Sequence, residues 1–254
     1  MNVHSFFENG PNMIEKTQNR LFQVGILSSF IHCAYEGDVM LSDVLENGDT
    51  GLGTINGVDG NIVINNGIAY HLDFDGNASK ADNTKYTPFC VSAFLNTKHS
   101  FELSDIGSFA HLAEEIRKTL PSKNYIYLFK INGVYNKITM RGEKVQPKPY
   151  LPLSKTILTT QRIFSLEQVQ GTMIGSLFPD YLKHINLNDF HFHFISEDEK
   201  KGGHVHELSA DSLEITVAIV DNINLHFLNN NTWFSNEDFS IISKKEMETV
   251  QKGE

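Results

Sequence analysis

His191 and His193 stand two residues apart, and His204 follows after a polar stretch ending in Gly202-Gly203. A neutral imidazole offers one nitrogen lone pair to a divalent cation. Three of them gathered together hold a metal while leaving coordination positions open for water or substrate. Zinc suits such a nitrogen-only set, whereas a hard cation such as magnesium would call for carboxylates. The spacing is informative because a strand sends alternate side chains to opposite faces. His191 and His193 therefore share one face, and Phe190, Phe192 and Phe194 share the other and anchor it in a core. The run 196–203 reads as a loop that turns the chain back, so that His204 returns beside the first pair. A single strand histidine is usually solvated or hydrogen-bonded; the pair at i and i+2 with a third across a glycine hairpin is what points to a metal. His206 lies on the face of His204 and is a substitute ligand in this reading.

The remainder of the chain must position that hairpin. Its 254 residues, 40% hydrophobic and 20% charged, are enough to bury a full core without staples. Cys33 and Cys90 each lie in apolar, strand-like surroundings and read as buried thiols, which fits a reducing compartment. A net charge of −10 with scattered basic residues argues against a nucleic-acid partner. No apolar run reaches the roughly 18–20 residues that span a bilayer. Residues 1–16 carry no signal-peptide pattern, and the expectation is a cytoplasmic protein without a membrane partner.

Periodicity predicts mostly strands with two or three helices. Residues 22–33 form a long apolar stretch, and 39–45 suit a short helix stopped by Asn47-Gly48. The glycine-rich run 48–60 lacks the Lys-Ser/Thr of a phosphate loop and reads as turns and close backbone approach. Asn65-Asn66-Gly67 is hairpin chemistry between two β-branched runs. Ser104 or Ser108 caps a helix running to about Leu120, on which Phe109, Leu112, Ile116 and Leu120 share a face. Strands follow at 125–131, 172–178, 190–195, 204–208, 213–220 and 225–228, with a short helix near Gln161 and a helix-like tail from Asp238. The expected fold class is α+β, with mixed and antiparallel sheets in two packed parts. Residues 1–150 would form a mixed part with the glycine block, and 151–254 a mainly antiparallel part carrying the histidines.

Several blocks, in order, carry a resemblance: Gly53-Thr54 with 56–60, Thr87-Pro88-Phe89, Arg141 with Gln146 and Pro149-Tyr150, Gly171-Thr172 with Gly175, and above all 191–196 with Asp198 and 202–205. Over residues 23–251 the chain resembles the alpha-acetolactate decarboxylases. The resemblance implies a zinc-dependent lyase that converts 2-acetolactate, or a close 2-hydroxy-3-oxo acid, into acetoin and carbon dioxide. It also implies a homodimer. The zinc ligands would be His191, His193 and His204, and the family's active-site arginine falls on Arg141.

The chemistry is coherent on its own terms. Loss of carbon dioxide leaves an electron pair that must flow into the neighbouring ketone, and a metal chelated by the hydroxyl and ketone oxygens stabilises that charge as a Lewis acid. Arg141 has the fork of donors that suits a carboxylate. Two positions depart from the family pattern. Asn61 stands where a glutamate follows Asp-Gly, and Gln251 stands at the C-terminal glutamate that reaches the metal site. Amides of similar shape carry no charge and move no proton near neutral pH, so the site would be more positive by two units. These departures motivate an alternative function, a non-catalytic or altered-function metal or ligand-binding protein on the same scaffold. A cupin-type oxygenase is a third reading, because Glu197 follows the HxH, but no second cupin motif appears.

Overall fold

The computed structural model describes residues 19–228 together with Phe234 and Asp238. Gln251 and the tail expected to be helical beyond Asp238 lie outside these residues. Along the chain the elements are β1 (Arg20–Val24), α1 (Leu27–Ile31), β2 (Val39–Met40), α2 (Leu41–Glu46), β3 (Thr50–Thr54), β4 (Asn61–Asn65), β5 (Ile68–Leu72), β6 (Ala78–Lys80), β7 (Tyr86–Thr87) and β8 (Phe89–Ala93). They continue with β9 (His99–Ile106), α3 (Phe109–Thr119), β10 (Ile126–Glu143), α4 (Leu153–Thr160), β11 (Gln161–Leu177), β12 (His191–Ser196), β13 (Gly202–Val220) and β14 (Asn222–His226). No helix among the described residues is long and apolar enough to cross a membrane.

The first sheet runs β14-β1-β8-β3-β4-β5-β6. It is mixed, because β1 pairs with β14 in parallel and with β8 antiparallel. The glycine block builds its centre. A Cβ on Gly51 would lie 2.1 Å from the Val91 carbonyl oxygen, so β3 can approach β8 only with glycine there. Asn66 and Gly67 both take positive φ, 53° and 77°, and Asn65 pairs with Ile68 across this two-residue turn. That turn type matches the twist of its flanking strands, which is why Asn-Gly is favoured in it.

The second sheet runs β10-β11-β12-β13-β9, and β10 also pairs with β13, so four of its strands close on themselves. Closure removes exposed edges and creates an inside and an outside. Inside are Tyr127, Phe129, Met140, Met173, Phe192, Phe194 and Val205, all buried, with α3 packed by Leu112 and Ile116. Each fully buried phenylalanine contributes roughly 1.5–3 kcal/mol. Outside, Ile174 and Ile195 pack on Val63, Tyr70 and Leu72 of the first sheet. The two sheets thus face each other through the outer surface of the closed one. The fold is α+β with a mixed and an antiparallel sheet.

Four expectations are refined. The strand expected at 125–131 runs on to Glu143, and those expected at 204–208 and 213–220 are one strand. The helix near Gln161 lies just before it, at Leu153–Thr160. Ser108, whose hydroxyl accepts from the His111 amide, caps α3, while Ser104 lies within β9. The sheets part between Ala93 and His99, and β14 returns to the first. β10 and β11, on either side of residue 150, pair antiparallel from Tyr127↔Leu177 to Glu143↔Gln161.

Candidate metal and substrate site

Three antiparallel strands place one row of side chains. His193 on β12 stands opposite His204 on β13, and His204 stands opposite Arg141 on β10. Cross-strand partners point to the same face, so the three side chains project together from the closed sheet toward the first sheet. Their chain neighbours Phe192, Phe194, Val205 and Met140 point inward to the core and fix the register. Glycines permit the close fit: a Cβ on Gly175 would lie 2.2 Å from the Phe192 ring, to which it is paired.

His191, His193 and His204 form a group whose candidate ligand atoms all lie within 4.8 Å of one another. Nε2 of His191 and Nε2 of His193 are 3.2 Å apart. Nδ1 of His193 donates to the backbone carbonyl of Ile62 at 2.7 Å, so the Nε2 lone pair is turned to the other rings. A ligating histidine is commonly oriented by such a bond from its other nitrogen. Burial keeps all three rings neutral: the pKa of His193 is lowered to about 4, and those of His191 and His204 fall well below the ordinary range, with Arg141 adding to each shift. Neutral, converging imidazoles fit a divalent cation. His206 stands with its ring 5.6 Å from that of His204 and is not part of the converging group.

The cavity over these rings has two kinds of wall. Leu27 and Phe30 of α1, Leu153 and Ile157 of α4, and Leu187 form an apolar side, while Asn61, Arg141 and Glu143 line it with the histidines. Arg141, Glu143 and Asn61 are buried, with 3%, 6% and 6% of their surface exposed. Glu143 joins the other two. Its Oε1 accepts from Arg141 Nε at 2.6 Å, and its Oε2 accepts from Asn61 Nδ2 at 2.5 Å. Burial pushes the Glu143 carboxyl up and the Arg141 guanidinium down, and each opposes the shift in the other. With a guanidinium bonded to it, the pair is charged. Sequence reasoning missed Glu143 because the strand was ended too early; alternation from Arg141 along a longer strand would have placed it on the same face. Gln146 lies nearby but binds Lys144 and Thr160.

The family model described as alpha-acetolactate decarboxylase matches residues 21–241. The alpha-acetolactate decarboxylase of Bacillus subtilis strain 168 is 32% identical over 237 residues, which are 92% of this chain and 91% of that protein. That of Methanosarcina mazei is 29% identical over 251 residues, 99% of this chain and 86% of the other. A crystal structure of the Bacillus subtilis strain 168 protein superposes with a TM-score of 0.87, covering 91% of this chain and 99% of that one. A Staphylococcus aureus protein of unknown function, similar to alpha-acetolactate decarboxylase and 23% identical, shares the fold with a TM-score of 0.85.

Proposed function

This chain belongs to the alpha-acetolactate decarboxylase family and is a carboxy-lyase, and on that premise we propose that it converts 2-acetolactate, or a close 2-hydroxy-3-oxo acid, to acetoin and carbon dioxide with zinc held by His191, His193 and His204. The observation that carries the reading is the row His193, His204, Arg141, which sets a cation site and a carboxylate-binding group side by side on one sheet face. Bound there, the metal supplies Lewis acidity toward the negative charge that develops on the substrate's ketone oxygen.

The chain's own residues do the rest. The Arg141 guanidinium holds the departing carboxylate, or the oxygen beside it, by charge-assisted hydrogen bonds. As the bond from that carboxylate to the hydroxyl-bearing carbon breaks, carbon dioxide leaves and the electron pair passes into the adjacent ketone. The same carbon then takes up a proton to give acetoin. Leu27, Phe30, Leu153 and Leu187 take the methyl groups and exclude water, which strengthens every electrostatic interaction in the cavity. Asn61 offers hydrogen bonds without a proton to exchange. Gln251 is the remaining assignment from the resemblance, as an amide at the metal. The same reading takes the protein as a cytoplasmic homodimer.

Zinc-loaded protein incubated with 2-acetolactate is expected to release acetoin and carbon dioxide, and to stop doing so after chelation or in His193→Ala. Metal-replete protein at micromolar concentration that forms no acetoin would sink the substrate assignment and favour the binding-protein alternative.

A further inference from the structure

A buried carboxylate that lines a cavity beside a cation site needs a reason to be there, and Glu143 has no apolar or solvent-facing role. Its two oxygens are both used, one on Arg141 Nε and the other on Asn61 Nδ2, across two sheets: Glu143 and Arg141 are on β10, Asn61 on β4. We propose that Glu143 is the positioning residue of this site, supplying the one carboxylate that lines its cavity among the described residues, so that Asn61 needs none, and holding Arg141 and Asn61 in their working orientations. The proposal rests on the lyase reading above.

Three observations carry it. First, the amide of Asn61, which lines the cavity, gives its NH2 to Glu143, and an amide so held keeps its oxygen, an acceptor, turned away from that carboxylate. Glu143 therefore decides which end of the amide the substrate meets. Second, Nε of Arg141 is committed to Glu143, and the planar guanidinium then has a fixed direction for its terminal nitrogens. Third, Arg141 stands directly across from His204 on the neighbouring strand and lines the same cavity as all three histidines. Without a partner, that positive charge would oppose a divalent cation on the same rings. Glu143, ion-paired to it at 2.6 Å, offsets it. The carboxylate expected at residue 61 from the resemblance has thus not vanished from the site; a carboxylate enters it from the facing sheet.

The test is a reciprocal exchange. Glu143→Gln, Asn61→Glu and the double variant Asn61→Glu/Glu143→Gln are compared with wild type in kcat, KM and zinc affinity against a competing chelator. Glu143→Gln is expected to lower kcat/KM by about 10²-fold, mostly in kcat because orientation is lost, and to weaken zinc by roughly tenfold. Asn61→Glu alone places two carboxylates within hydrogen-bond reach, which resist being ionised together, and is expected to lose activity as well. The double variant restores one carboxylate to the pair and is expected to recover most of both losses. A Glu143→Gln protein with unchanged zinc affinity and an unchanged kcat overturns the proposal, as does a double variant no better than either single one. If wild type itself makes no acetoin, the lyase reading fails, while the chelator titration of the same four proteins still decides the role of Glu143.

Discussion

Nδ1 of His193 donates to the carbonyl oxygen of Ile62, 2.7 Å away, so a strand of the first sheet sets the tautomer of a ring carried by the second. Neither sheet alone orients that imidazole. NMR of nitrogen-labelled metal-free protein should show His193 protonated at Nδ1 and bare at Nε2 throughout the neutral range. A ring exchanging between tautomers would mean that the two sheets do not hold this contact.

Metal-free protein should lose stability as pH falls from about 6.5 toward 4. His193 binds its proton in the unfolded chain near 6.5 but in the folded protein only near 4. Between those values the unfolded state carries more protons, so stability rises with pH there and is fully present above 6.5. His191 and His204 shift in the same direction and steepen the slope. Thermal melts across this window check it, and His193→Gln should flatten the curve.

Arg141→Lys keeps the charge and removes the fork. A lysine ammonium can pair with Glu143 or reach the substrate, but lacks the planar geometry that does both. A fall in kcat/KM of roughly 10²-fold is expected, with metal content unchanged. Activity within a fewfold of wild type would show that charge alone suffices at this position.

Gly175→Ala should destabilise the protein by about 1–3 kcal/mol through overpacking. The new methyl would lie 2.2 Å from the Phe192 ring and 2.3 Å from the His191 carbonyl oxygen. Relief of that clash moves β12, so metal affinity should drop with stability. Denaturant melts and a chelator titration on one preparation measure both.

The histidine hairpin was legible because its signal is local. Alternation over six residues and one glycine-bearing turn settle which rings share a face, and the structure pairs His193 with His204 in that manner. The Asn66-Gly67 turn was legible for the same reason, and the cap of α3 was narrowed to Ser104 or Ser108, of which the structure uses Ser108. What resisted reading was length. β10, β11 and β13 run for 18, 17 and 19 residues. Their far halves lose the simple alternation, since Lys137 and Glu167 face solvent while Arg141 and Glu143 are buried for their charge. Polar burial at a site breaks the pattern that marks strands, and so hid Glu143. The closing of β10 onto β13 was equally hidden, because no local feature records which strand a strand will meet.

The parallel pairing of β1 with β14 sets an order of events in the making of the protein. Residues 20–93 supply six strands of the first sheet, yet the flank of β1 is covered only when Asn222–His226 arrive. Everything from β1 through His226 must leave the ribosome before that sheet is whole. Until then a nascent chain exposes a bare strand edge, which makes the interval of synthesis between the two strands the time at which this protein is most open to mispairing with another copy.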